Sequence, residues 1–194
     1  MPNPLVWPRA FVVGDQVGAW GCWAAVLESV TAYYLAGKYT SVAWKPTQES
    51  IQSEYADAGG AAGKPGSAKD LELAVKLTGH LGWIREATET SPEGRTQFLP
   101  TSQNFQLIKD AIDNGHPVVC ILKYHTRSVK HAVLVYGYEE NPRAVLVGDP
   151  AGGVSRKTKW SFDEFCNAYR EHTHLIKICE TKENEFANLR SLFA

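Results

Sequence analysis

The sequence lacks a dominant charge. Its 20 Lys and Arg stand against 21 Asp and Glu, a net charge of −1 at pH 7. No field of one sign is on offer to a polyanion, so neither nucleic acid nor an anionic membrane surface is an expected partner. It also lacks any apolar run near the roughly 20 residues that cross a bilayer. The opening MPNPLVWPRAFVVGDQ has two early prolines and no basic-then-apolar order, so it does not read as a Sec-type signal peptide. Cysteine is scarce, at Cys22, Cys120, Cys166 and Cys179. These four show no metal-ligand spacing and are too few for a disulfide framework in a chain of this size. They read as thiols, which favours action in a reducing compartment. Internal repeats and low-complexity segments are absent as well.

What is present is ordinary globular composition, 44% hydrophobic and 21% charged over 194 residues. A chain of that length buries roughly 70% of its unfolded surface and needs no staples. One domain over 1–194 is expected.

Residues 1–15 read as an extended lead-in. A helix is predicted from about Cys22 to Ala36, with Val26, Val30, Tyr33 and Tyr34 on one apolar face and Gly37 as its stop. PTQESIQSEYADAG predicts a second helix capped by Thr47. GGAAGKPGSAKD reads as a flexible loop; its GxxxGK is one residue short of a phosphate loop, and no strand precedes it. LELAVKLTG predicts a third helix ending at Gly79, and NFQLIKDAIDNG a fourth, with Asn104 as cap and Gly115 as stop. Residues 86–103 read as polar and irregular.

The pattern then changes. HPVVCILKY, HAVLVYGYEE, RAVLVGD and HLIKICE are short runs of Val, Ile and Leu between turn signals, hence strands. One helix, SFDEFCNAYREH, capped by Ser161, interrupts them. The tail 181–194 carries Phe186, Leu189 and Phe193 at helical spacing. Helices dominate 1–115 and an antiparallel sheet dominates 116–180, which makes the fold α+β with a cleft between the halves.

Cys22 opens the first helix, where a thiol pKa falls; an imidazolium beside it lowers it further. Of six histidines, His131 begins an apolar strand, and the next strand ends in Asp149. If the two strands pair through the turn at Asn141–Pro142, His131 and Asp149 share one rim. Asp149 then fixes one ring nitrogen and the other faces the thiol. Gln16 adds a side-chain amide that, with the Cys22 N–H, is placed to hold an oxyanion. Taken singly, each residue has a plain reading: a packed Cys, a surface His, a turn Asp. The combination in this order is what points to nucleophilic catalysis. Trp20 and Gly21, just before the Cys, and Lys130, just before the His, are the candidate substrate contacts. His125 is the second choice for the base. His172 and His174 have metal-like spacing but no evident third ligand, and His116 and His80 sit at turns.

Gln16, Cys22 with Trp23, His131 and Asp149 resemble the set of the papain-like cysteine proteases. The match is closer to compact bacterial members, the effector proteases of plant pathogens and the double-glycine leader peptidases. WGCWAAVLESVTAYY, HAVLVYGY with VGDP, and KWSFDEFCNAY carry the resemblance, which covers 16–36 and 115–180. The sequence departs from the plant-type enzymes in having Ala19-Trp20-Gly21 before the Cys, a shorter Cys-to-His spacing, and Asp as third member. Trp20 is bulky where a small residue often lines the cleft, which argues against broad digestive specificity.

The resemblance implies a papain-like fold and a cysteine endopeptidase with a Cys-His-Asp triad and no metal or organic cofactor. It further implies a monomeric toxin or effector domain with a defined protein substrate, cutting after Gly-Gly if it follows the leader peptidases. Delivery by a non-Sec route into the cytoplasm of a target cell, and a cognate inhibitor covering the cleft, are expected with that role. Two other readings use the same residues: a transferase or deamidase acting on glutamine side chains, and an inactive binding module.

Overall fold

The structure, a computed structural model, describes residues 13–17, 21–36, 47–57, 81–127, 129–151, 156–170 and 173–182. Helices α1 (Cys22–Ala36) and α2 (Gln48–Asp57) are followed by strand β1 (Leu81–Glu86), helix α3 (Ser102–Asp113), strands β2 (Val118–Tyr124), β3 (Lys130–Glu140), β4 (Arg143–Asp149) and β5 (Arg156–Ser161), helix α4 (Phe162–Asn167) and strand β6 (Thr173–Thr181). The strands form one six-stranded antiparallel sheet in the order β1-β6-β2-β3-β4-β5.

The central strands are buried on both faces, which is why they read as continuous apolar runs and not as alternating patterns. Val119 and Ile121 of β2, with Ala132 and Leu134 of β3, pack with Val26, Leu27 and Val30 of α1. Val118, Cys120 and Leu122, with Val133 and Val135, pack on the other face with Phe105, Ile108 and Ile112 of α3 and Phe162 and Phe165 of α4. The sheet is thus covered by α1 and α2 on one side and by α3 and α4 on the other. The α+β reading holds, with helices packed against an antiparallel sheet as in the papain-like fold.

Two strands have no assignment from the sequence pattern. LGWIRE, left unassigned by its sequence pattern, is β1, paired with β6 at the edge of the sheet. RKTKWS is β5, the opposite edge. Both are short; β5 is polar, as edge strands are when they discourage pairing with other chains, and the apolar residues of β1 are too few, and interrupted by Gly82, to read as a strand. In addition α3 lies across the sheet from α1.

Helix boundaries follow their caps. Thr47 Oγ1 accepts the Ser50 N–H at 3.2 Å. Ser161 accepts the Glu164 N–H at 3.2 Å, and its own hydroxyl donates to Glu164 Oε2 at 2.6 Å, an N-cap tied to the side chain three residues on. The expected Asn104 cap is replaced by Thr101, whose Oγ1 accepts the Asn104 N–H at 3.2 Å. Two cap formers lie three residues apart, and the earlier one wins because Asn104 is needed inside: its buried amide donates to Glu89 Oε2 at 2.7 Å and to the Leu99 carbonyl at 2.9 Å. Gly115, with φ of 80°, ends the turn as expected. α4 stops at Asn167, before the Tyr and Arg that the sequence pattern would have included. The predicted helix at 71–79, Gly37 and the tail from Phe186 lie outside the described residues, as does His80.

Candidate active site

Three elements converge at one rim of the sheet. β3 and β4 pair across the Asn141–Pro142 turn, Glu140 with Arg143 and Leu134 with Gly148. That register carries the start of β3 and the end of β4 to the same edge. His131 Nε2 meets Asp149 Oδ1 at 2.8 Å. The start of α1 completes the group, since Cys22 and His131 share a hydrogen bond. Nδ1 is the ring nitrogen left for the sulfur.

Local backbone chemistry sets the position of Cys22. Gly21 accepts the Ala25 N–H at 3.0 Å, the first bond of α1. A Cβ on Gly21 would lie 2.3 Å from the Val17 carbonyl oxygen, so only glycine fits this approach. The stretch 15–17 is pinned from two sides. The Gln16 N–H donates to the Pro150 carbonyl at 3.1 Å, tying it to the end of β4. Gln48 of α2, buried, accepts the Val17 N–H at 2.8 Å and donates to the Asp15 carbonyl at 2.8 Å and to Glu28 Oε2 at 3.0 Å. Gln16 therefore stands beside the residues that follow Asp149. Further upstream, Val13 lies so close over β4 that a Cβ on Gly148 would come within 2.3 Å of Val13 Cγ2.

Charge is arranged around this contact. Burial pushes the Cys22 thiol up, but the His131 hydrogen bond and charge, with the N–H groups of Ala132 and Trp23, outweigh it and hold the pKa below its ordinary value. Burial alone would lower His131; Asp149 and Cys22 raise it instead, to about 9. Asp149 is wholly inaccessible. Burial works against its charge, yet His131, the Tyr169 hydroxyl and the Ala151 N–H keep its carboxyl below the usual range. Cys22 alone among the cysteines reaches the surface; Cys120, Cys166 and Cys179 are core residues, and burial pushes the Cys120 and Cys166 thiols up. A partly exposed thiol at a helix start, hydrogen-bonded to a carboxylate-held imidazole, has the means for nucleophilic attack and proton transfer.

The other sequence candidates fall as follows. Gly21 has a backbone reason for being glycine. Lys130 opens β3 opposite Lys123, next to His131. Trp20 and His172 lie outside the described residues. His125, the second choice for the base, is elsewhere: its Nε2 is 3.2 Å from the Asn167 carbonyl and its ring lies 5.3 Å from that of His174. His116 Nδ1 pairs with Glu180 Oε1 at 2.8 Å.

Sequence reasoning missed three contributors. Gln48 reads as an ordinary first-turn helix residue. Tyr169 donates to Asp149 Oδ2 at 2.7 Å, and Arg170 Nη2 sits 2.9 Å from the same oxygen. Both were absorbed into an overlong helix. The signal was the short apolar stretch of FDEFCN, which sustains fewer than two turns.

A family model described as the Peptidase_C39 like family matches residues 14–176. The chain belongs to the Peptidase_C39 like family. The match takes in Gln16, Cys22, His131 and Asp149, and both strands and helices that bring them together. Membership of the Peptidase_C39 like family places the chain in the papain-like cysteine protease superfamily and supports a cysteine peptidase in general. No curated protein matches the chain.

Proposed function

We propose that the chain is a selective cysteine endopeptidase in which Cys22, His131 and Asp149 form a catalytic triad and Gln16 completes an oxyanion site. The hydrogen-bonded link from Cys22 through His131 to Asp149 is the observation that carries this reading. The Cys22 thiolate adds to a peptide carbonyl, and the oxyanion takes hydrogen bonds from the Gln16 amide and the Cys22 N–H. The C–N bond breaks as His131 passes its proton to the leaving amine. Water then attacks the thioester, His131 takes a proton from it, and the acid and free thiol are released.

The finer reading is of a bacterial toxin or effector domain, delivered by a non-Sec route to the cytoplasm of a target cell. It acts on one protein substrate, with Trp20, Gly21 and Lys130 contacting the chain to be cut, and a cognate inhibitor blocks the cleft. Cleavage after Gly-Gly is the expected preference, by analogy with the leader peptidases.

The test is to map new protein N-termini in bacterial cells expressing the chain, against a Cys22→Ala control. A few sharp cuts that vanish in the control are expected. An absence of new termini, with targets whose mass rises by about one unit for each glutamine deamidated, replaces the peptidase by a deamidase on the same site.

A further inference from the structure

We propose that Tyr169 and Arg170 are positioning residues that grip the second oxygen of Asp149 and so keep His131 able to release its proton to the leaving amine. The proposal rests on the peptidase reading above and names what tunes its base.

The two oxygens of Asp149 are used differently. Oδ1 meets His131 Nε2 at 2.8 Å and accepts the Ala151 N–H at 2.8 Å. Oδ2 accepts the Tyr169 hydroxyl at 2.7 Å and pairs with Arg170 Nη2 at 2.9 Å. Tyr169 is held in the core against Trp160 and Phe165, at 4.8 and 5.7 Å between ring centroids. Arg170 has φ of 50°, a conformation that non-glycine residues adopt seldom. That backbone turn lets neighbouring residues deliver both a hydroxyl and a guanidinium to one oxygen. Arg170 Nη1 also reaches the Ala151 carbonyl at 3.4 Å.

A carboxylate with four partners is a weaker acceptor toward any one of them. An ungripped Asp149, buried beside an imidazolium, would draw the ring proton strongly. The thiolate–imidazolium pair would then persist, but His131 would be a poor acid when the C–N bond breaks. Donors on Oδ2 draw charge away from Oδ1 and counter this. Among the described residues, the titratable and charged groups around the pair are Cys22 from α1 and Tyr169 and Arg170 from the segment after α4. The β2 and β6 neighbours in register with His131 are Leu122 and Leu175.

The experiment compares Cys22 alkylation by iodoacetate and iodoacetamide across pH 5–11, in the full chain and in Tyr169→Phe and Arg170→Gln variants. Iodoacetate is an anion and gains from a protonated His131, so the ratio of the two rates falls as that proton leaves. In the unaltered chain the fall is centred near pH 9. In both variants the midpoint is expected to move up by about half a unit to one unit. Tyr169→Phe keeps the ring packing, and Arg170 is partly exposed, so at least one variant is expected to fold. An unmoved midpoint, even with a lowered melting temperature, makes the contacts merely structural and overturns the proposal; so does a downward shift. If Cys22 of the unaltered chain alkylates no faster than a model thiol near pH 6, the peptidase reading itself fails, and the variants have no part in that outcome.

Discussion

Two buried histidines in one protein are driven in opposite directions. His131 and His174 are 8% and 4% exposed, and burial works against the cation in each. His131 nonetheless has its pKa raised to about 9, while that of His174 falls to about 4. The difference lies in the partners. His131 has the Asp149 carboxylate on one side and a thiol that ionises on the other. His174 has burial first, then the positive charges of His125, Arg95 and Lys123, and its buried Nδ1 has no hydrogen-bond partner among the described residues. Desolvation disfavours the cation in both, and local charge decides the sign. A histidine is prepared for proton transfer by what its ring nitrogens touch, and depth of burial alone prepares it for nothing.

The comparison breaks most sharply if Asp149 is removed. Asp149→Ala leaves His131 buried without its carboxylate and turns it into a second His174. Its pKa is expected to fall below the ordinary 6.5, and Cys22 reactivity near pH 6 to drop by about 10²-fold, the loss of thiolate when a thiol returns to a pKa of about 8.5. Alkylation rates across pH check this; a variant that keeps the fast reaction at pH 6 would show that the thiol draws its activation from α1 alone. Next in size is Gly21→Ala, which attacks the other partner. The new methyl cannot sit 2.3 Å from the Val17 oxygen, so the chain entering α1 must shift. A loss of about 1–3 kcal/mol in a denaturant melt is expected, together with slower Cys22 alkylation as the sulfur moves off His131.

pH-dependent stability sharpens the same contrast. His131 binds its proton more tightly folded than unfolded, so its contribution is fully present below about pH 6.5 and is lost as pH rises through 9. His174 binds its proton less tightly folded, so stability is full above about pH 6.5 and falls as pH drops toward 4. Each limb is on the order of 1–3 kcal/mol. Urea melts between pH 4 and 10 should show His174→Gln flattening the acid limb and His131→Gln the alkaline one. If His174→Gln leaves the acid limb unchanged, the buried ring is not what the acid side titrates.

Much of this was legible in the sequence, for identifiable reasons. Cys22, His131 and Asp149 stand at element ends, and the ends of long apolar runs are where sequence patterns are sharpest. The Asn141–Pro142 turn fixed the pairing of β3 with β4, and with it the shared rim. His125 and His131 were separable because only His131 begins an apolar run. The edge strands were not legible, since β5 carries Arg156, Lys157 and Lys159 and the apolar residues of β1 are few and interrupted by Gly82. The Asp149 grip was also hidden. Tyr169 and Arg170 follow a helix whose end is set by its tertiary contacts, and no periodicity marks a residue that works from a loop.

The smallest expected effect concerns α4, whose end and following turn reach the surroundings of both histidines. From its end and the turn beyond, Asn167 offers its carbonyl to His125, the neighbour of His174, and Tyr169 reaches Asp149. Ser161→Ala removes the cap of this six-residue helix and is expected to cost about 1 kcal/mol of stability. The two histidines should not feel it equally. His131 is fixed by β3, and its Asp149 by β4 and by the Ala151 N–H as well as by Tyr169, so its titration midpoint should stay in place. The His125 ring meets the Asn167 carbonyl at the end of α4, so the His125–His174 pair should loosen and the His174 midpoint should rise toward the ordinary value as water enters. Ring-proton shifts of the two histidines followed against pH separate these outcomes. Equal movement of both midpoints would mean that α4 holds the whole rim, and that the strands alone do not fix His131.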